Sequence, residues 1–234
     1  MQKFPWIAGR TVFSFALIVA ALAAPAFAGA ADLVLGPVTI QRGTGAPTVF
    51  NYTFTAPESN HGFVLKVYNG GLEDTTYELV SSSTITLNGT EILGPNNFNQ
   101  HITYLEVPVA LQAQNEMSVV VRGKLGGAML LKLFPVIEIH APAANKVFGS
   151  QPAVVSGSLY AAASGVTVNG ISATLDASGF SASGVPLVEG RNEIVAIALG
   201  PGGITAADDR VTVVLDTIPP LVTIAHPPEE LYTN

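Results

Sequence analysis

Cysteine is absent from all 234 residues. That excludes a disulfide scaffold, a thiolate zinc site, an iron–sulfur cluster and a cysteine nucleophile together. Charge is scarce as well. Asp, Glu, Lys and Arg make up 12% of the chain, about half of the roughly 25% usual in soluble domains. Basic residues are the scarcer sign, 10 against 17 acidic ones, for a net charge of −7. Nucleic acid and anionic membrane surfaces are poor partners for such a balance, since both call for clustered Lys and Arg. Tryptophan occurs once, at Trp6. No window sustains a 3.6-residue apolar period with caps, so long helices are not expected.

The apolar residues are unevenly spread. Lys3 and Arg10 precede an apolar run from Thr11 to Ala24, broken by Pro25 before Ala26-Phe27-Ala28. A basic start, an apolar core and an A-x-A site predict a secretory signal peptide over residues 1–28, cleaved after Ala28, with a cut after Ala30 at Ala28-Gly29-Ala30 as the alternative. The run is shorter than the roughly 20 residues needed to span a bilayer, which argues against an anchor. Removing it takes Trp6, two of the ten basic residues and no acid, leaving 206 residues at net charge −9. The expected location is exported: extracellular, cell surface or periplasm. Such a chain must be held by its core alone, because the disulfides usual in oxidising compartments are missing.

Beyond residue 30 the dominant period is two. Phe63, Leu65 and Val67 share a face, as do Met117, Val119 and Val121. Ile137 and Ile139 alternate with Glu138 and His140, and in Ile194–Leu199 both alternating sets are apolar. The last pattern predicts a central strand covered on two sides. Turn signals recur between these runs, at Asn88-Gly89, Gly126-Gly127, Asn169-Gly170 and Gly200-Pro201-Gly202-Gly203. Asn-Gly is a strong hairpin signal, because both residues tolerate the positive φ of a type I′ turn. Many short strands with Gly/Pro turns predict an all-β fold of two antiparallel β-sandwiches in tandem.

Two internal repeats organise the chain. The weaker pairs Ile85-Thr86-Leu87-Asn88-Gly89 with Val166-Thr167-Val168-Asn169-Gly170, each followed downstream by Val-Pro and then Asn-Glu (Asn115, Asn192). The stronger aligns Pro135-Val136-Ile137-Glu138-Ile139-His140-Ala141-Pro142 with Pro220-Leu221-Val222-Thr223-Ile224-Ala225-His226-Pro227, position for position, 85 residues apart. A fixed period of that length suggests an array of small β-sandwiches. The expected organisation is an N-terminal sandwich over 29–134, a second over 135–219, and the first strand of a further repeat over 220–234. Asp216-Thr217-Ile218-Pro219-Pro220 serves as a linker, since proline cannot donate to a ladder. On this reading the parent chain continues past Asn234.

The second segment resembles bacterial immunoglobulin-like modules and, more closely, the accessory sandwich called glucodextranase domain B. The resemblance is carried by Val166-Thr167-Val168-Asn169-Gly170, Phe180, the run Val185-Pro186-Leu187-Val188-Glu189-Gly190-Arg191-Asn192-Glu193-Ile194, and Asp216-Thr217-Ile218-Pro219-Pro220. In the first segment, Val67-Tyr68-Asn69-Gly70, Ile85–Gly89, and Leu111 with Asn115, Met117 and Val119 are similar to jelly-roll domains of the galactose-binding type. The first resemblance implies spacer or adhesive modules, and the second implies a sandwich and raises carbohydrate binding.

Enzyme motifs are missing. Gly179-Phe180-Ser181-Ala182-Ser183 lacks the closing glycine of a nucleophile elbow. His61, His101, His140 and His226 are too far apart for H-E-x-x-H, and no Walker or Rossmann loop occurs. Asp208, Asp209 and Asp216 are weak calcium candidates, offering hard oxygens without a D-x-D-x-D-G loop. No other cofactor is expected. A sugar would stack its C–H face on an aromatic ring, and Tyr68, Tyr77 and Tyr104 with the amide Asn97 are the residues for it. The expected role is therefore non-enzymatic: an exported structural or adhesive protein, the N-terminal part of a surface or extracellular array. Its partners would be neighbouring modules of the parent chain, or a surface glycan or protein. The alternative is a carbohydrate-binding accessory module of a secreted glycan-active protein.

Overall fold

The computed structural model describes residues 33–58, 61–71, 77–151, 153–176, 179–203 and 205–223. The expected signal peptide, and residues 224–234 of the expected further repeat, lie outside these. Described residues are nearly all β, in sheets whose pairing is antiparallel except for a short parallel pair at Val147–Phe148.

Eight strands form the first half: β1 (Leu35–Gln41), β2 (Thr48–Thr55), β3 (Phe63–Asn69), β4 (Ser82–Leu87), β5 (Thr90–Leu93), β6 (Tyr104–Val109), β7 (Gln114–Arg122) and β8 (Ala128–Pro135). They pair antiparallel as β1 with β8, β2 with β7, β3 with β6 and β4 with β5. That is one long nested hairpin. Further pairing of β3 with β8 and β4 with β7 rolls it into two sheets, β1-β8-β3-β6 and β2-β7-β4-β5. Eight strands so rolled form a jelly roll. Phe63, Leu65, Val67, Met117, Val119 and Val121 all face its core, as their alternation requires.

Nine strands follow: β9 (Ile137–Ala141), β10 (Val147–Phe148), β11 (Ala153–Leu159), β12 (Gly165–Val168), β13 (Ile171–Ser172), β14 (Thr174–Leu175), β15 (Phe180–Val185), β16 (Gly190–Leu199) and β17 (Thr205–Leu215). They make the sheets β9-β11-β15-β14 and β10-β17-β16-β12-β13. In order these correspond to the ABED and GFC sheets of the immunoglobulin sandwich. β16 lies between β17 and β12 as a central strand, but only Ile194, Ala196 and Ala198 are buried. Val195, Ile197 and Leu199 are half-exposed, which corrects the expectation of cover on two sides. In a two-sheet sandwich that face of the sheet looks outward.

Both Asn-Gly pairs close hairpins in positive φ, with Asn88 at 50° and Gly89 at 79°, and Asn169 at 45° and Gly170 at 82°. The weak repeat has a physical basis in what these asparagines do next. Asn88 N–H donates to the Glu116 carbonyl, and Asn88 Oδ1 accepts from Glu116 N–H at 2.9 Å. Asn169 does the same against Val195, with 3.0 Å and 2.8 Å. In each case the side-chain amide extends the ladder one step past the turn. Asn115 and Asn192 then each clasp their own preceding loop, at Gln112 and Val188.

The two halves meet closely. Pro135 still pairs with Phe63 at the end of β8, and after Val136 the chain opens β9 at Ile137. His61 and Asp208 exchange main-chain hydrogen bonds of 2.8 and 2.9 Å across the junction, and Val136 N–H donates to Gly62. Val64 and Phe134 of the first half belong to the apolar core of the second. β17 ends at Leu215, and Asp216–Thr223 follow without regular structure. There Ile218, Leu221 and Val222 are exposed. Among the described residues no helix is long and apolar enough to cross a membrane.

Candidate functional site

The outer face of sheet β1-β8-β3-β6 collects side chains that no sequence window holds together. Alternation along β3 points Phe63, Leu65 and Val67 inward, so Val64, Lys66 and Tyr68 point outward. Register then adds their neighbours. Tyr68 lies between Leu130 and Tyr104, Lys66 between Lys132 and Glu106, and Val64 between Phe134 and Pro108. Asn69 N–H donates to Thr103, so the β3–β6 bonds fall on odd positions of β3. Tyr68 and Tyr104 therefore occupy a non-hydrogen-bonded pair, where side chains approach most closely. Their ring centroids are 5.2 Å apart with planes tilted by 52°.

Charges frame this aromatic pair. Tyr104 OH donates to Glu106 Oε2 at 2.5 Å, and the same oxygen lies 3.8 Å from Lys66 Nζ. Partial burial, then the neighbouring Glu106 carboxylate, raises the Tyr104 phenol above its ordinary pKa. Lys132 Nζ sits 5.8 Å from the centre of the Tyr68 ring, and Lys66 Nζ lies 5.7 Å from that of Phe134. Both are within cation–π range. Phe134 in turn stacks on Tyr160 of the second half, centroids 4.8 Å apart and planes 15° from parallel. Tyr160 OH donates to Glu138 at 3.1 Å. The strip thus runs unbroken from one half to the other.

Beside it, at the junction, lies a groove of about 680 Å³ whose lining includes His61, Val64, Glu106, Pro108, Val136 and Ala162. His61 Nδ1 is 3.3 Å from Asp208 Oδ2, which also accepts from Arg210 Nε at 2.9 Å. An acid that orients an imidazole is two-thirds of a catalytic triad. The described residues lining the groove supply no hydroxyl or thiol to complete it.

The remaining candidates are dispersed. Tyr77 lines a separate concavity of about 600 Å³ with Glu78, Leu79, Ser81, Gln100 and Lys124. There Lys124 Nζ pairs with Glu78 at 3.0 Å. Asn97 ends the short turn Pro95–Asn97, where its Oδ1 accepts from Gly94 N–H at 2.8 Å. Asp208 and Asp209 sit at successive positions of β17 and so face opposite sides of the sheet. Asp209 is buried, with Oδ2 accepting from Ile139 N–H at 2.7 Å. Asp216 lies seven residues beyond Asp209, about 23 Å along an extended chain. The three carboxylates are not brought together, and among the described residues no group of three or more His, Asp or Glu is placed to hold a metal ion.

Lys66, Lys132, Glu106, Phe134 and Tyr160 were not singled out by sequence. The period of two does place Lys66 beside Tyr68. The rest depends on register between strands up to 70 residues apart. No protein-family model matches this chain, and no curated protein is detectably similar to it.

Proposed function

We propose that this chain is an exported, non-enzymatic structural or adhesive protein, built from rigidly joined β-sandwich modules that belong to a surface or extracellular array. The observation that supports this reading is the junction. Main-chain bonds at His61 and Asp208, the Phe134–Tyr160 stack and the single residue Val136 between β8 and β9 leave little room for hinge motion. A linker of flexible residues would suit a tethered enzyme better than a spacer. The absence of cysteine makes a direct test clean. Spin labels on Val49→Cys and Val188→Cys, both exposed positions in different halves, should give one narrow distance distribution. A broad distribution in the otherwise unsubstituted protein would remove the spacer reading.

A second reading has its own observation. Tyr68 and Tyr104 form a tilted aromatic pair, Tyr104 exposed and Tyr68 half-buried, and an aromatic face is what a stacked sugar requires. Binding on a glycan array, lost when both become Ala, supports it; a blank array removes it.

A further inference from the structure

We infer that the outer face of sheet β1-β8-β3-β6 binds an anionic polysaccharide, with the Tyr68–Tyr104 pair stacking on a pyranose ring and Lys132 meeting its carboxylate or sulfate. This deepens the carbohydrate reading above and rests on it. Three features of the face carry the inference.

Lys66 and Lys132 stand directly opposite each other on adjacent strands. Gly70 N–H donates to Ala128 and Val136 N–H to Gly62, so this even-numbered row is hydrogen-bonded and the two Cα atoms lie about 5.5 Å apart. Like charges opposed in a sheet are destabilising. The chain spends two of its ten Lys and Arg residues on that arrangement despite its acidic balance. Glu106 answers Lys66 at 3.8 Å, whereas Lys132 has no ion pair among the described residues. One positive charge is thus left over beside the half-buried Tyr68 and the exposed Tyr104, while Leu130, Phe134 and Val64 of the same rows are buried.

The charge is also placed for a sugar. Lys132 Nζ lies over the Tyr68 ring, 5.8 Å from its centre, and so next to the exposed Tyr104 ring that pairs with it. A pyranose stacked on the exposed Tyr104 ring would bring an equatorial acidic substituent within reach of that ammonium. Lysine suits this task as a point charge with rotatable donors. Finally, among the described residues no strand lies beyond β6. Its Tyr104 and Glu106 face β3 as non-hydrogen-bonded positions. Their main-chain N–H groups therefore point away from β3, toward the β6 edge, where acidic substituents can accept from them. The overall negative charge opposes a polyanion at long range but is screened within about 10 Å at 0.1 M salt. The local cation decides the contact.

The test uses the full chain and three ligand classes in titration calorimetry: oligogalacturonate, a sulfated galactan oligosaccharide and a neutral galactan oligosaccharide. Both acidic ligands are expected to bind more tightly than the neutral one, and the tighter of the two identifies the anionic group. Lys132→Gln should weaken acidic binding about tenfold, as loss of one charged hydrogen bond would. Lys132→Arg should retain most of it, and Lys146→Gln, exposed elsewhere on the molecule, should change nothing. In the unsubstituted chain, about 1 M salt should erase the preference for acid, since the screening length is then about 3 Å. Neutral and acidic ligands bound equally, with loss only in Tyr104→Ala, would overturn the anionic inference and leave the carbohydrate reading standing. No binding of any sugar would overturn both. Equal binding of a single-stranded oligonucleotide, run as a control, would also overturn it, because the site would then be reading charge and stacking without a pyranose ring.

Discussion

Asn69 shows how much organisation one buried polar side chain can carry. Its Nδ2 donates to the carbonyls of Val80 at 2.9 Å and Ile102 at 2.8 Å, and its Oδ1 accepts from Val80 N–H at 2.8 Å. The amide ties the end of β3 to the segments that enter β4 and β6. Those segments flank Tyr77 and Tyr104, so the residue positions both aromatic regions. Asn69→Ala would strand three buried main-chain groups, and loss of about 3 kcal/mol is expected in urea unfolding. An unchanged midpoint would mean water replaces the amide. Tyr104 supports a second prediction at this scale. Its folded-state pKa is raised above the ordinary 10.0, mainly by burial and then by Glu106. The folded state therefore holds the phenolic proton after the unfolded chain has lost it. The associated stability is complete below about pH 10 and is lost as pH climbs further. Tyr104→Phe should flatten the alkaline fall in stability relative to the unsubstituted protein; parallel falls would contradict this. Tyr52, raised by burial alone, contributes equally to both.

At the scale of elements, what the sequence shows plainly is what depends on neighbours along the chain. Inward-facing sets such as Phe63, Leu65 and Val67 are visible because side-chain alternation is local, and the Asn88-Gly89 and Asn169-Gly170 turns are visible because positive φ restricts residue choice locally. Gly157 is the contrary case. It lies in β11 beside a register shift against β9, and a Cβ there would strike the Glu138 carbonyl and come within 2.6 Å of the Phe180 ring. Nothing in Val155-Ser156-Gly157-Ser158 announces this, since both obstacles come from other strands. The two kinds of glycine should respond differently to Ala. Gly170→Ala meets open space at φ 82°, so only the left-handed backbone cost of about 1 kcal/mol applies. Gly157→Ala must displace backbone, at about 3 kcal/mol. Equal losses in chemical denaturation would show that cross-strand crowding at Gly157 costs no more than the left-handed backbone at Gly170.

On the scale of the whole molecule, strand order and the tyrosine platform share one reason for being hidden in sequence. Both are products of non-local register. Tyr68 and Tyr104 meet because β3 pairs with β6, while Tyr77, nearer in sequence to Tyr68, falls beyond the strand end and lines another concavity. The same non-local pairing joins the two halves. Val64 and Phe134, paired in the first sheet, lend their side chains to the second core, and Tyr160 stacks back on Phe134. Energy is therefore shared across the junction, and calorimetry should record a single unfolding transition. Phe134→Ala removes both the stack and a buried anchor, at a cost of about 3–5 kcal/mol. It should split the transition in two, leaving the His61–Asp208 bridge with Val64 and Val136 to hold the junction. Gly62→Ala attacks the junction by another route. At φ 106° its new Cβ would lie 2.6 Å from Ala207 Cβ and 3.1 Å from the Ala206 carbonyl, prising β17 away from the start of β3. If both variants separate the transitions, the junction is the structural element that makes two sandwiches behave as one rigid unit. Two transitions already present in the unsubstituted chain would mean the halves unfold independently, and the contacts at Phe134 and His61 would be orientation without cooperativity.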